Sequence, residues 1–255
     1  MQLTILGSSG SLGGPGNPAS GYLLTVDDSP ALIMDLGPGA LAALQEIHDP
    51  CDAHMLFSHL HSDHCADFPS LMVWRRYHPT SPASTRHLCH GPSNTATHLG
   101  AMTAATAGKI DDMSDTFAFS PWEPGREYEL SGLRITPYEA VHPVEAYSLR
   151  ITDPATGRVL VYSGDSAWTE TLIDCARDAD VFLCEASWPT EEGPRPDGIH
   201  LSGTEAGRLA RLARAKKRIL VHIPPWESAE EILAAARAEY DGPLEVGVPG
   251  MVVQV

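Results

Sequence analysis

Basic side chains are scarce in this sequence. Lys and Arg number 17 against 33 Asp and Glu, a formal net charge of −16. A protein that grips a long polyanion neutralises phosphates with clustered Lys and Arg. Only two basic clusters occur, Arg75–Arg76 and the run from Arg208 to Arg218, and the second reads as the solvated face of a helix. A long nucleic acid is therefore a poor partner, although bound cations would make one cleft locally positive. Cysteine is also sparse, with five residues, an odd number without framework spacing. That excludes a disulfide scaffold, fits free thiols in a reducing compartment, and makes the cytoplasm the expected location. Cys184, inside "VFLCEA", reads as a small buried side chain. The N-terminal "MQLTILGSSG" has no basic segment leading into a long apolar one, so no signal peptide is expected. No run approaches the roughly 18 apolar residues that span a bilayer, so no membrane partner is expected. Internal repeats and low-complexity segments are lacking too.

What is present is a chain of 255 residues, 43% hydrophobic, with 22 glycines and 21 prolines spread along it. This suits one domain over residues 1–255, built from many short elements. Twelve apolar runs, from "LTIL" and "GYLLTV" to "LEVGV" and "MVVQV", are mostly four to eight residues long and bounded by Gly, Pro, Asp or Ser. They read as strands. Helical patterns are fewer, about five. "PGALAALQEIH" starts with Pro38, "TETLIDCARDA" and "TEAGRLARLARAKK" space apolar residues three and four apart, and "SAEEILAAARAEY" opens on a capping box of Ser228 and Glu231. Some strands lead into helices and others are consecutive. Two sheets face to face with helices outside would bury these runs.

One stretch carries chemistry. "FSHLHSDHCADFP" begins at Phe57 and holds His59, His61, Asp63 and His64 within six positions. Read as the end of the strand "HMLFSH", it puts His59 and His61, two apart, on one side of an extended chain. Asp63 and His64 follow in a turn and can aim at a second point. Imidazoles with a carboxylate suit zinc, and also manganese or iron. Further donors end other apolar runs: His142 after "ITPYEAV", Asp165 in "VLVYSGD" and His222 after "RILV".

"SHLHSDH", "EAVHP", "YSGDS" and "LVHIPP" together resemble the ordered motifs of the metallo-β-lactamase fold hydrolases, over essentially the whole chain. The resemblance implies an α/β fold, an αββα sandwich of two facing mixed sheets with helices outside. It implies two divalent ions per chain, most simply Zn2+, with Mn2+ the other option. His59, His61 and His142 would hold one ion, Asp63, His64 and His222 the other, and Asp165 would bridge both.

Two further residues bear on the branch. Glu185 sits inside the apolar "FLCEASW", where a carboxylate is costly unless paired, and His200 lies in "GIHLSGTEAG". "EAS", then "HLSGTEAG", then "RILVHI" resembles the ribonuclease Z branch. There the corresponding His protonates the leaving oxygen of a phosphodiester and the Glu orients it, which implies catalytic roles for His200 and Glu185, with Asp63 sharing a proton with the nucleophile. Ribonuclease Z usually inserts a tRNA-binding arm between the counterparts of His142 and Asp165, yet these are only 23 residues apart here, and the loop "GSLGGPGNPASG" lacks Lys and Arg. Precursor tRNA is thus not the expected substrate. "PASGYLL", "VWRRYHP", "VFLCEASW", "HLSGTEAG" and "HIPPW" are similar to a short actinobacterial group that includes a cyclic-AMP phosphodiesterase. The expected activity is hydrolysis of 3′,5′-cyclic nucleotides, a small-molecule phosphodiester, by a protein that the resemblance implies is a homodimer. A ribonuclease Z-type tRNA 3′-endonuclease and a non-catalytic metal-bound sensor are the alternatives. "VWRRYHP" offers Trp74 or Tyr77 for stacking and Arg75 or Arg76 for phosphate, or simply an amphipathic helix end; Trp226 is a similar candidate for a pocket wall. His48, His54, His78, His87, His90 and His98 have no matching motif and read as structural. The Gly-rich "GSSGSLGGPG" lacks a P-loop Lys and reads as a flexible loop near the metal site.

Overall fold

The computed structural model describes residues 1–193 and 195–255. It contains two sheets of seven strands each. The first runs, in spatial order, β14 (Val252–Gln254), β1 (Gln2–Gly7), β2 (Gly21–Thr25), β3 (Ala31–Leu36), β4 (Ala53–Leu56), β5 (His87–Gly91) and β6 (Phe117–Pro121). The second runs β13 (Leu244–Val246), β12 (Arg218–Val221), β11 (Val181–Glu185), β10 (Val159–Tyr162), β9 (Tyr147–Thr152), β8 (Leu133–Glu139) and β7 (Tyr128–Leu130). Both are mixed. The first is antiparallel from β14 to β3 and parallel from β3 to β6, and the second is antiparallel from β7 to β10 and parallel from β10 to β13.

The period-two alternation of strand side chains sorts apolar residues into three layers. In β3, Leu32 and Met34 face the cluster between the sheets, while Ala31, Ile33 and Leu36 face the opposite side. In β11, Val181 and Leu183 point into the same central cluster, and Phe182 and Cys184 point away. Helices cover the outer faces. Leu41 and Leu44 of α1 (Ala40–Gln45), Phe68, Leu71 and Met72 of α3 (Phe68–Tyr77) and Leu99 of α4 (Thr95–Thr103) pack beneath the first sheet. Leu172 of α5 (Glu170–Ala176), Leu209 of α6 (Gly203–Ala213) and Ile232 of α7 (Ala229–Glu239) pack on the second. This is the αββα sandwich that the strand and helix pattern implied.

Local departures have physical reasons. A full capping box forms at Ser202 and Glu205, which opens α6. At α7, Ser228 accepts the Glu231 N–H as expected, but the reciprocal Glu231 bond is not among the contacts there. Strand β4 ends at Leu56 rather than His59. The strand partner β5 starts its pairing at Met55 and Leu56, and beyond it the chain leaves the sheet. The five cysteines are free thiols. Among the described residues, no helix is long and apolar enough to cross a membrane.

Candidate metal centre

The loops that leave the carboxyl ends of β3, β4, β8, β10, β11 and β12 converge at one edge of the sandwich, where open α/β sheets commonly hold ligands. Past β4, His61 has an extended backbone (φ −65°, ψ 152°) and caps the four-residue α2 (Ser62–Cys65), which carries Asp63 and His64. His59 and His61 thus come together through a loop and helix entry, not along a strand. Asp165 follows the turn after β10. There Gly164 has φ +55°, and a Cβ would lie 2.8 Å from the Tyr147 carbonyl, so glycine is needed. Gly37 is required for a similar reason: a Cβ there would sit 1.9 Å from the Asp63 carbonyl oxygen. His222, after β12, takes φ +58°, a left-handed conformation that re-aims its ring toward the group.

The seven residues named from the sequence are brought together in two sets. One joins His59, His61, His142 and Asp165; the other joins Asp63, His64, Asp165 and His222, and in each set the donor atoms lie within 4.8 Å of one another. Asp165 belongs to both. His61 Nδ1 is 3.1 Å from His59 Nε2 and 3.0 Å from His142 Nε2. The Asp165 carboxylate is 3.3 Å from His64 Nε2 and 3.2 Å from His222 Nε2, and Asp63 is 3.1 Å from His222 Nε2. Outward-facing nitrogens are held by other groups. His142 donates from Nδ1 to the Ile199 carbonyl (2.8 Å), His59 meets Ser58 Oγ (3.1 Å), and His222 meets Ser187 Oγ (3.3 Å). Such outer partners fix the ring orientation of a metal-ligating histidine.

Burial holds His59 and His61 below the usual imidazole range and brings His142 down to about 4, so all three present neutral lone pairs. His64 goes the other way. Burial opposes its charge, but the Asp165 carboxylate and the contacts with Asp35 and Asp63 outweigh it and hold the ring well above its ordinary value. Burial likewise works against Asp165, yet the imidazoles of His222, His64 and His59 keep it ionised. Asp63 is also held well below the carboxylate range: burial works against it, and His222 and His64 outweigh burial.

This donor set fits divalent cations. In the first set, the ring nitrogens of neutral imidazoles converge at about hydrogen-bond distance. At the centre, His64 Nε2 and Asp165 Oδ1 are buried, 3.3 Å apart and without a hydrogen-bond partner. A cation bound by this group gives both atoms the partner they lack.

Sequence reasoning missed Asp35. Fully buried at the end of β3, it accepts from Ser58 N (2.7 Å), Ser58 Oγ (2.6 Å) and Tyr162 Oη (2.7 Å), and it pairs with His64 Nδ1 (2.8 Å). The available signal was a lone carboxylate in the apolar "ALIMDLG".

Glu185 and His200 meet as expected, with Nδ1 3.2 Å from the carboxylate. Glu185 also accepts from Ser166 N (2.6 Å) and Leu201 N (3.2 Å), so the buried charge is paired. The His200 ring centroid lies 5.0 Å from that of His222 and 5.5 Å from that of His142, beside the two donor sets. Burial resists protonation of His200, but the charge and hydrogen bond of Glu185 raise it to about 9.

The phosphate contact considered for Arg75 and Arg76 is not borne out. Arg75 is buried and donates to the carbonyls of Pro50, Cys51, Thr85 and Thr116, and Arg76 pairs with Asp111 and Asp115. These arginines tie α3 to neighbouring loops. Trp74 packs against His78 with ring centroids 4.6 Å apart, and Tyr77 and Trp226 are exposed. His87 serves the Arg75 network and His90 stacks on Trp122, in keeping with structural roles. The Gly-rich loop does reach the centre, with Gly10 N donating to the Ile223 carbonyl and Ser11 N lying 3.4 Å from His222 Nε2.

Residues 32–223 match the family model of the beta-lactamase superfamily domain. An uncharacterized protein of Mycobacterium leprae is 51% identical over 250 residues, 98% of this chain and 87% of its own. The probable metallo-hydrolase YhfI of Bacillus subtilis is 27% identical over 255 residues, 99% of each chain, and its crystal structure superposes with a TM-score of 0.85 over 99% of this chain and 98% of that one, at 22% identity in the superposition. A ribonuclease Z of Haloferax volcanii is 24% identical over 305 aligned positions, 100% of this chain and 95% of its own. By the family match, and by an alignment that runs nearly end to end at half identity, this chain belongs to the beta-lactamase superfamily and has its metallo-hydrolase fold.

Proposed function

We propose that this protein is a dinuclear-metal phosphodiesterase that hydrolyses 3′,5′-cyclic nucleotides, cyclic AMP foremost, to 5′-monophosphates. The observation that carries the reading is His200. It stands beside the two sets of metal donors, belongs to neither, and is held by Glu185 through Nδ1. Nε2 is then the atom left to give a proton.

His59, His61, His142 and Asp165 would hold one ion, and Asp63, His64, His222 and Asp165 the other; zinc suits this imidazole-rich set, and manganese also accepts it. When bound, the two cations supply Lewis-acid stabilisation of phosphoryl charge and acidify water at neutral pH. The chain's own groups do the rest. Asp63, kept ionised, accepts a proton from the attacking water. His200 donates from Nε2 to the departing ribose O3′, and Glu185 keeps that ring charged and oriented. Ser187 Oγ, 3.3 Å from both the Glu185 carboxylate and His222 Nδ1, ties the acid pair to the metal ligands.

The likeness to ribonuclease Z favours a second reading, tRNA 3′-end cleavage. Against it, the segment between His142 and Asp165 is filled by β9, a turn over residues 153–158, and β10, with no protruding arm. The 305 aligned positions against 255 residues leave at least 50 positions of the Haloferax volcanii enzyme without a counterpart here. A metal-bound sensor, the remaining alternative, has no use for a held proton donor. A cytoplasmic homodimer completes the proposal.

A substrate panel tests the reading: cyclic AMP, cyclic GMP, bis(p-nitrophenyl) phosphate and a precursor tRNA, compared by kcat/KM at several salt concentrations. Binding that neutralises many phosphates falls steeply with salt. Cyclic AMP turnover should be efficient and nearly salt-independent. Efficient, strongly salt-sensitive cutting at a tRNA 3′ end would support the ribonuclease instead.

Asp35 gives a prediction of its own. Its φ of 57° is one that Asn also tolerates, so Asp35→Asn keeps the backbone and removes the charge behind His64. Loss of such an outer carboxylate should weaken metal affinity by about 10–100-fold, read by competition with a chromogenic chelator. Unchanged affinity would make Asp35 a purely structural hydrogen-bonding hub.

A further inference from the structure

Beside the metal-ligand sets lies a cleft of about 270 Å³, lined by Val141, Trp168, Arg195, Asp197, His200 and Glu205 among others. Its volume lies just below the range of drug-sized ligand sites, about 300–1,000 Å³, so it suits one ring system rather than an extended chain. Its position follows from the chain. Val141 precedes His142, Trp168 comes three residues after Asp165, and His200 itself forms part of the wall. We propose that this cleft receives the nucleobase of the substrate, with the half-buried Trp168 as its stacking surface. The inference rests on the phosphodiesterase reading above, and it adds which part of the substrate is recognised and by what.

An acid that protonates the leaving oxygen must stand on the leaving-group side of the phosphorus. In a 3′,5′-cyclic nucleotide that oxygen is O3′, and the ribose carrying O3′ also carries the base. The space beyond His200 is therefore where the nucleoside end lies.

Among the described residues, the cleft's ionisable side chains besides His200 are one cation, Arg195, and two anions, Asp197 and Glu205. Arg195 is already committed to Glu205 through two contacts, of 3.0 and 3.3 Å. Glu205 in turn accepts from Ser202 N and Oγ at the start of α6, which fixes the pair in place. A neutralised arginine beside a further carboxylate is a poor seat for a second phosphate. It is a good polar wall for an uncharged, planar, hydrogen-bonding group. The same feature disfavours an RNA strand, whose next phosphate would find no uncommitted arginine there.

Trp168 lines the cleft, and Trp188 packs against His200 with ring centroids 5.5 Å apart, so the walls around the acid are indole-rich. Base–aromatic stacking is sequence-tolerant, because every base has a π-face. Trp168 thus supplies affinity for a base, and discrimination between bases falls to the polar wall.

The test uses the metal-replete full chain with two pairs of probes. Turnover is compared for cyclic AMP and for methyl ribofuranoside 3′,5′-cyclic phosphate, which lacks a base. Equilibrium binding is compared for 5′-AMP and ribose 5-phosphate by calorimetry. In Trp168→Leu, which keeps apolar bulk but removes the aromatic plane, the preference for the base-bearing member of each pair should fall about tenfold, the scale of one base–aromatic stack. Trp168→Phe should restore most of it, which separates stacking from a folding defect. Equal preferences in wild type and Trp168→Leu, with cyclic AMP still hydrolysed, would overturn the cleft assignment and leave the phosphodiesterase intact. Base-dependent binding of 5′-AMP that depends on Trp168, in a protein that does not hydrolyse cyclic AMP, would sustain the cleft and remove the activity.

Discussion

His200→Ala should keep its full complement of metal and lose about 10²-fold or more in turnover of cyclic AMP, within the 10²–10⁴-fold range of general acid catalysis. The metal should stay because each donor set is complete without His200. The loss should shrink for bis(p-nitrophenyl) phosphate, since p-nitrophenolate departs without a proton. Glu185→Gln should give a milder defect of the same kind, because the amide still meets Nδ1 but no longer supports its charge. The pH profile gives a second reading. An imidazolium raised to about 9 is protonated below that value and loses its proton above it. Cations bound beside it push the value down, so wild-type kcat for cyclic AMP should fall on an alkaline limb at or below about pH 9. That limb should be absent in His200→Ala. If the variant loses metal, or slows both classes of leaving group equally, His200 belongs to the structure of the site and not to proton transfer.

Asp165→Ala should have the other large effect, stripping both sites at once. Asp165 is the one side chain common to the two donor sets, and it is buried among His59, His64 and His222. Replacing it takes one donor and one negative charge from each set at once, so neither set keeps its full complement of ligands. Elemental analysis of wild type purified without chelator should approach two equivalents per chain, and of the variant well under one. Activity of the variant should match chelator-treated wild type. By contrast His61→Ala, with a donor in one set only, should spare the other ion. Two equivalents retained in Asp165→Ala would show that the carboxylate bridges nothing.

Most of this site was readable because its information is local. His59, His61, Asp63 and His64 share one turn, so their spacing alone brings them together. His142, Asp165 and His222 are distant in sequence but share a context, a polar donor just past an apolar strand, and the sandwich gathers strand ends at one edge. Asp35 had no such mark. Its partners lie 23, 29 and 127 residues away, and only the folded chain shows that its carboxylate backs His64. The cleft walls were missed for a related reason. Trp168 and Arg195 sit in irregular loops without periodicity, whereas "VWRRYHP" drew attention by composition and belongs to a helix end.

The fold followed the same logic. All twelve apolar runs are strands, and the two that escaped, β6 and β7, are edge strands. β6, "FAFSP", is only partly buried along most of its length, and β7 has three residues. An edge strand packs against one neighbour and carries a weaker apolar signal. The unnoticed α4, "TATHLGAMT", is rich in Thr and contains Gly, poor helix formers whose conformation is set here by packing.

In the proposed reaction this centre opens a cyclic phosphodiester toward O3′. One measurement addresses it directly: incubate metal-replete protein with cyclic AMP, resolve the adenine nucleotides by chromatography, and repeat after chelation and after metal is restored. The account predicts 5′-AMP as the product, lost with the metal and recovered with it. Accumulation of 3′-AMP would contradict the placement of His200, and persistence of cyclic AMP while precursor tRNA is cut at its 3′ end would contradict the substrate itself.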